Sequence, residues 1–340
     1  MSGELVLGIE SSCDETAAAV VAGGKRILSS CVHSQAAMHA VYGGVVPEIA
    51  GRSHLQKILP VIDTALADAR VELDDLGAIA VTNRPGLIGS LLVGLSAAKG
   101  LAFARGLPLV GVHHIEAHVY AATMELEEFE YPCLALVVSG GHTAVYRARS
   151  PLELDLLGAT LDDAAGEAFD KVAHLLGLGY PGGPAVSKLA QEGDPRAIEL
   201  PRYRSKRAAG PEFSFSGIKT AVLYQVRGQD ARAALPRPEA IPRRADIAAS
   251  FEQAVSDVLV DECVRAAEQE GLRTILVAGG VACNRRLRAE MAARAAERGL
   301  RAVFPSPAYC TDNAVMIAGL GWHVWRSGAG EGLALEASPR

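Results

Sequence analysis

The feature that most narrows the fold is a plan that occurs twice. Residues 5–9, LVLGI, form an apolar run that reads as a buried strand, and after the polar turn ESSCDET a second run, AAAVV, reads as its hairpin partner. Residues 134–138, LALVV, followed by SGGH and then TAVYRA, repeat that order. Each half then closes with a strand, a glycine-rich turn and a helix: AIAVTNRPGLIGSLLVGLSAAKGLA in the first, TILVAGGVACNRRLRAEMAARAAERG in the second. Strands alternating with helical patterns predict an α/β fold, with parallel or mixed sheets covered by helices and ligands at the carboxyl ends of the strands. A duplicated plan over 340 residues predicts two lobes. Their boundary falls near 115–133, where MELEEFEYP is acidic and ends in proline.

Composition excludes several classes. With 49% hydrophobic and 21% charged residues there is ample apolar surface for two cores, which argues against disorder. The longest apolar candidate, Leu91 to Val112, is interrupted by Lys99 and Arg105 before it reaches the about 18 residues of a spanning helix. The start MSGELVLGIE lacks the basic stretch and long apolar core of a signal peptide, so a cytoplasmic protein without a membrane partner is expected. Six cysteines without a C-x-x-C pair fit reduced, mostly buried thiols. The net charge of −6 argues against a protein coated in nucleic acid, but it leaves room for a local basic patch. Residues 201–245, rich in Pro and Arg, read as an irregular insertion in the second lobe; ten basic residues stand there against three acidic ones.

Chemistry enters at GVHHIEAH, where His114 and His118 stand four apart and can offer imidazoles from one helical face to one metal ion. A carboxylate is still needed, and Asp312 in CTDNAVMIAG stands at a turn-to-helix junction, where Asp or Asn is more often a helix cap. The spacing also suggests a metallopeptidase, whose H-E-x-x-H carries its general base between the histidines. Ile115 fills that position, and Glu116 lies on another part of the helix surface. His113 and His142 read as polar residues beside the site.

Four glycine turns, SGGH (139–142), YPGGP (180–184), AGGVACN (278–284) and RPGLIG (84–89), put small residues where strands or helices end. Such turns let backbone N–H groups approach an anion, although each alone is more often simple punctuation. In LDDAAGEAFDKVAHLLGLG, residues Leu161, Ala165, Ala168, Phe169, Val172, Leu175 and Leu176 form an apolar stripe, with Gly177 as the stop. Asp163, Glu167, Asp170 and Lys171 lie on the other face, as a solvated i,i+4-paired surface or as a ribose-binding acid.

The motifs GIESSCDETAAAVV, GGVVPEIAGRSH, GVHHIEAH, LVVSGGHT, DDAAGEAFDKVAHLLGLGYPGGP, FSFSGIKTA, AGGVACNRRLR and CTDNAVMIA occur in this order. Over about Leu5 to Trp322 the chain resembles bacterial TsaD, the tRNA N6-adenosine threonylcarbamoyltransferase family, once labelled O-sialoglycoprotein endopeptidase. The resemblance implies a duplicated actin/Hsp70/sugar-kinase-like (ASKHA) fold, two lobes around a nucleotide-type ligand. Residues 1–120 would form the first lobe, completed by a helix at about 312–328, and 121–311 the second. It implies transfer of the threonylcarbamoyl group from threonylcarbamoyl-AMP to N6 of the adenosine 3′ of the anticodon in tRNA.

Matched motif by motif, His114, His118 and Asp312 would be the metal ligands. Fe2+ is the ion implied first, with Zn2+ or Mg2+ as alternatives. Val137, Val138, Ser139, Gly140 and Gly141 would line the adenylate and phosphate region, Asp170 would take the ribose hydroxyls, Gly183 would stand against the nucleoside, and Asn284 would complete the pocket. Asp14 matches an acidic position close to the reacting groups. The family's usual glycine in TNRPG is Arg84 here. TsaB-like and TsaE-like proteins are the implied partners. A small-molecule kinase of the same fold is the chief rival, and an ATP-switched scaffold a further one; neither has an evident use for the histidine pair.

Overall fold

The computed structural model describes residues 4–205, 210–228 and 234–340. The chain divides into two compact units, Met1–Phe129 with Ser150–Glu153 and Pro305–Arg340, and Glu130–Arg149 with Leu154–Phe304.

The first unit begins with β1 (Leu5–Glu10), β2 (Glu15–Ala22) and β3 (Arg26–Ser34), followed by α1 (Ala36–Ala40), α2 (Pro47–Ala69), β4 (Ala78–Arg84), α3 (Ile88–Arg105), β5 (Leu109–His113) and α4 (His114–Met124). The second holds β6 (Cys133–Val138), β7 (Thr143–Ser150), β8 (Glu153–Ala159), α5 (Ala165–Leu175), α6 (Gly182–Ala190), α7 (Ser216–Arg227), α8 (Arg244–Gln269), β9 (Thr274–Ala278), α9 (Arg285–Glu297) and β10 (Arg301–Val303). The chain then returns to the first unit with α10 (Ala314–Arg326).

The two sheets have one plan. In the first the order is β3-β2-β1-β4-β5, with β1 antiparallel to β2 and parallel to β4, and β4 parallel to β5. In the second the order is β10-β9-β6-β7-β8, with β6 antiparallel to β7 and parallel to β9. The central strands β1 and β6 are buried along their whole length, because helices cover both faces of such strands and favour unbroken apolar runs.

Around the first sheet the alternation of strand residues sorts two cores. Leu5, Leu7, Ile9, Ile79 and Val81 pack with α2 and α3, whereas Val6, Ala78, Ala80, Val110 and Val112 pack with α4 and α10. The approach of α10 is close: a Cβ on Gly8 would sit 2.4 Å from Ala314 O, and one on Gly321 would sit 2.3 Å from Ala80 Cβ. By length and composition α3 could cross a membrane. Its residues Leu95, Ala98 and Ala102 instead join the core of this unit.

Two sequence expectations need correction. The 201–245 stretch is not simply irregular: it carries α7, whose Ile218, Val222 and Val226 are buried together with Phe213 and Phe215 just before it. Prolines and arginines on either side mask that helical spacing. Leu161 does not belong to the stripe of α5, which starts at Ala165; Leu161 is exposed.

Candidate active site

In the first unit, β5 runs directly into α4. His113 ends the strand and caps the helix, accepting the Ile115 N–H at 3.2 Å through its ring Nδ1. That fixes the first turn of α4 and sets His114 and His118 one turn apart on the same face, with ring centroids 4.7 Å apart and edge to face. At the entrance to α10 it is Asn313 that caps, accepting the Met316 N–H at 3.0 Å. Asp312 is thereby left for another role. Its Oδ1 lies 3.4 Å from His114 Nε2 and 3.1 Å from His118 Nε2. Among the described residues these three form the one group with metal-ligand geometry, their ligand atoms all within 4.8 Å of one another.

Glu10 stands behind them and is the residue that motif reading misses. It is fully buried at the end of β1; Oε2 lies 3.0 Å from His114 Nδ1 and accepts the Thr82 hydroxyl at 2.6 Å, while Oε1 accepts the Ser12 N–H at 2.5 Å. A charged residue closing an otherwise apolar strand is the signal that could have found it. Burial alone would raise both Glu10 and Asp312, but the His114 charge reverses this and holds both carboxyls below their usual range. Burial likewise works to lower His114, and there the carboxylates of Asp312 and Glu10 win, raising it well above the usual imidazole value. For His118 burial prevails and the pKa falls.

Asp14 follows in the turn between β1 and β2. Burial raises its pKa, with the Asp312 charge adding to the effect, so Asp14 lies within electrostatic reach of the histidine–aspartate group. Burial raises the carboxyl pKa of Glu116, and Arg84, at the exposed end of β4, lies near enough to oppose part of that rise. The RPGLIG turn is closed onto the Ser12 turn: Leu87 N–H donates to Ser12 O at 2.8 Å, and a Cβ on Gly86 would sit 2.7 Å from that oxygen.

The second unit gathers the other expected residues around the carboxyl ends of β6 and β9. Val137 and Val138 end β6, and Ser139, Gly140 and Gly141 form the turn to β7. The first turn of α5 packs against it, with Gly166 N–H donating to Ser139 O at 3.1 Å. Cβ positions on Gly140, Gly141 and Gly183 would meet nothing within 4 Å, so these backbones face open space. Asp170, on α5, accepts the Gly182 N–H at 2.7 Å and thereby holds the start of α6. Asn284 caps α9 through Oδ1, and its amide donates to Ser187 Oγ at 3.0 Å and to buried Glu252 Oε1 at 2.7 Å. Asn284 thus ties α6, α8 and α9 together.

Much of the positive charge in the 201–245 stretch is engaged internally. Arg202 pairs with Asp257, Lys219 with Asp163, Arg243 with Asp246, and Arg244 donates to the carbonyls of Leu176 and Gly177. Arg204 and Arg237 are exposed. Lys206, Arg207 and Arg232 lie outside the described residues.

Two sheets of one plan, each a hairpin extended by parallel strands and covered by helices, define a duplicated α/β protein of the ASKHA class. The chain is similar in fold to HypF from T. kodakarensis (TM-score 0.62, 15% identity, 97% of this chain and 49% of that one). It is likewise similar to component A of the (R)-2-hydroxyglutaryl-CoA dehydratase of Acidaminococcus fermentans (TM-score 0.55, 14% identity, 96% of this chain and 99% of that one). The chain belongs to the tRNA N6-adenosine threonylcarbamoyltransferase family, TsaD, whose sequence profile matches residues 26–319. Proteins of that name from Symbiobacterium thermophilum and Geobacter sulfurreducens are 55% and 57% identical to it. The alignments cover 100% and 98% of this chain, and 97% and 95% of theirs.

Proposed function

We propose that this chain transfers the threonylcarbamoyl group of threonylcarbamoyl-AMP to N6 of the adenosine 3′ of the anticodon in tRNAs that read ANN codons. The products are N6-threonylcarbamoyladenosine and AMP. Family membership over nearly the whole chain carries this reading. A metallopeptidase would need a base where buried Ile115 stands, and a small-molecule kinase would leave the histidine–aspartate group without a use.

The donor set suits a divalent cation. Two imidazole nitrogens, His114 Nε2 and His118 Nε2, converge on one carboxylate oxygen. His114, His118 and Asp312 would hold the ion, and two imidazoles with one carboxylate favour Fe2+ or Zn2+ over Mg2+, which prefers oxygen ligands and water. Bound there, a cation would supply Lewis acidity to the donor's carbonyl and to its phosphate.

The chain's own residues then have these parts. Gly140 and Gly141 present backbone N–H groups to the phosphate of the adenylate, while Ser139, whose own N–H donates to His142 O at 2.8 Å, shapes the turn, with Val137 and Val138 beneath. Asp170 accepts from the ribose hydroxyls, Gly183 leaves room for the nucleoside, and Asn284 holds the wall of the pocket. As N6 bonds to the carbamoyl carbon, the bond to the phosphate oxygen breaks and AMP leaves with its electron pair. Asp14, its basicity raised by burial, takes the proton that N6 releases. TsaB-like and TsaE-like proteins are the partners and the cytoplasm the setting in this reading, as the tRNA substrate requires.

Incubation of the protein with such partners, threonylcarbamoyl-AMP and unmodified tRNA, followed by mass spectrometry of the nucleosides, tests the proposal. The modified adenosine should appear only with the complete mixture; its absence with donor shown to be intact would overturn the assignment.

A further inference from the structure

We propose that Glu10 is a positioning residue for the His114, His118 and Asp312 group, turning the His114 ring so that Nε2, and not Nδ1, is the nitrogen offered to a cation. The inference rests on the metal reading above and deepens it.

Glu10 is the last residue of β1 and has no exposed surface. A carboxylate there is costly unless its oxygens are fully engaged, and here they are. Ser12 N–H donates to Oε1 at 2.5 Å, and the Thr82 hydroxyl donates to Oε2 at 2.6 Å from β4, the parallel neighbour of β1. Two elements thus pin the carboxylate from different sides.

His114 Nδ1 lies 3.0 Å from Oε2. An ionised carboxylate only accepts, so the proton in that bond sits on Nδ1. With Nδ1–H so held, the lone pair available to a metal is on Nε2, the atom 3.4 Å from Asp312 Oδ1. A carboxylate behind a ligating histidine fixes both tautomer and ring angle. His118 has no such anchor among the described residues, where its buried Nδ1 lacks a hydrogen-bond partner. Of the two histidines, His114 is therefore the one whose orientation is set before any cation arrives.

The test uses the full chain with Zn2+ as probe, in competition with a chromophoric chelator, and compares wild type with Glu10→Gln, Thr82→Val and Thr82→Ser. Glu10→Gln should bind Zn2+ about 10–100-fold more weakly, measured well below the melting temperature of its metal-free form, which loss of the buried charge lowers. Thr82→Val should weaken binding less, and Thr82→Ser, which keeps the hydroxyl, should restore it. Nitrogen NMR of the Zn2+-loaded wild type should show a protonated Nδ1 and a metal-bound Nε2 on His114. Wild-type Zn2+ affinity in Glu10→Gln, or a metal-bound Nδ1, would overturn the proposal. If Glu10→Gln does not fold, unchanged affinity in Thr82→Val overturns it as well. A wild-type chain that binds no Zn2+ and no Fe2+ defeats the metal reading itself, and this inference with it.

Discussion

His118 and Asp312 are 194 residues apart in the chain, yet Nε2 of one lies 3.1 Å from Oδ1 of the other. His118→Ala should therefore reduce bound metal from about one ion per chain to a trace. It should also leave the Asp312 carboxylate less well paired, costing about 1–3 kcal/mol, or a few degrees in melting temperature. Elemental analysis of the purified variant beside a melting curve checks both; full metal occupancy would remove His118 from the ligand set.

Glu15 gives a signature at higher pH. Its Oε2 is buried without a hydrogen-bond partner among the described residues, and burial pushes its pKa up to about 7 from 4.5. A raised folded pKa means that the folded chain holds the proton more tightly than the unfolded one. The stability contributed by Glu15 is thus complete below pH 4.5 and lost as pH rises to 7. In the metal-free protein at pH 8, Glu15→Gln should be more stable than wild type by about 1–2 kcal/mol once solvent screening is allowed for. Urea unfolding at pH 5 and pH 8 decides it: an equal difference at both values would dismiss the titration.

His54 acts in the opposite direction. Its Nδ1 meets Thr16 Oγ1 at 2.7 Å, its Nε2 meets Cys13 O at 2.9 Å, and burial lowers its pKa from 6.5. The unfolded chain takes up this proton first as pH falls, so the His54 contribution is present above pH 6.5 and is lost below it. The stability of wild type should fall more steeply between pH 6.5 and 5.5 than that of His54→Gln, by at most about 1.4 kcal/mol per pH unit. Parallel slopes would contradict this.

Asp170 separates two roles. Asp170→Ala removes the acceptor for Gly182 N–H and should cost about 1 kcal/mol of stability through the bond missing at the helix start. It should also weaken adenylate binding by about 1.5–3 kcal/mol for each hydrogen bond to the carboxylate that is removed. Asp170→Asn keeps an oxygen for Gly182 and should recover the stability but not the affinity. Calorimetric titration with a non-hydrolysable donor analogue provides the comparison, and unchanged affinity in both variants would leave Asp170 a purely structural residue.

For tRNA, the ion pairs direct the choice of variants. Arg202 is committed to Asp257, so Arg202→Ala should lower stability. Arg204→Ala with Arg237→Ala should leave stability unchanged and flatten the dependence of log affinity on log salt, by about 0.7–0.9 for each phosphate no longer neutralised. Filter binding across a salt series measures the slope; a wild-type slope would move the tRNA to another surface or to a partner.

The doubled sheet was legible because buried central strands leave unbroken apolar runs, such as LVLGI and LALVV, bounded by polar turns. The pairing of His114 with His118 was legible because one helical turn is a fixed spacing. What joins them was not. The bond from Glu10 to Thr82 crosses 72 residues, and no local pattern marks a contact between neighbouring strands. The same holds for Arg202 and Lys219, which look like free positive charge in sequence until Asp257 and Asp163 are placed beside them. Asp312 was separable from an ordinary cap only once Asn313 was seen to fill that role.

The close seating of α10 over Gly8 ties assembly of the first unit to the order of synthesis. Five strands and four helices of this unit leave the ribosome early, but the sheet face formed by Val6, Ala80 and Val112 gains this cover only when Ala314–Arg326 has emerged. Until then α4 is the only helix of this core on that face, and the two histidines stand without their aspartate. Translation of the whole second unit intervenes, so a polypeptide stalled before residue 312 lacks one of the three groups proposed to hold a cation. On the proposed ligand set, cation loading would thereby be deferred to the finished chain.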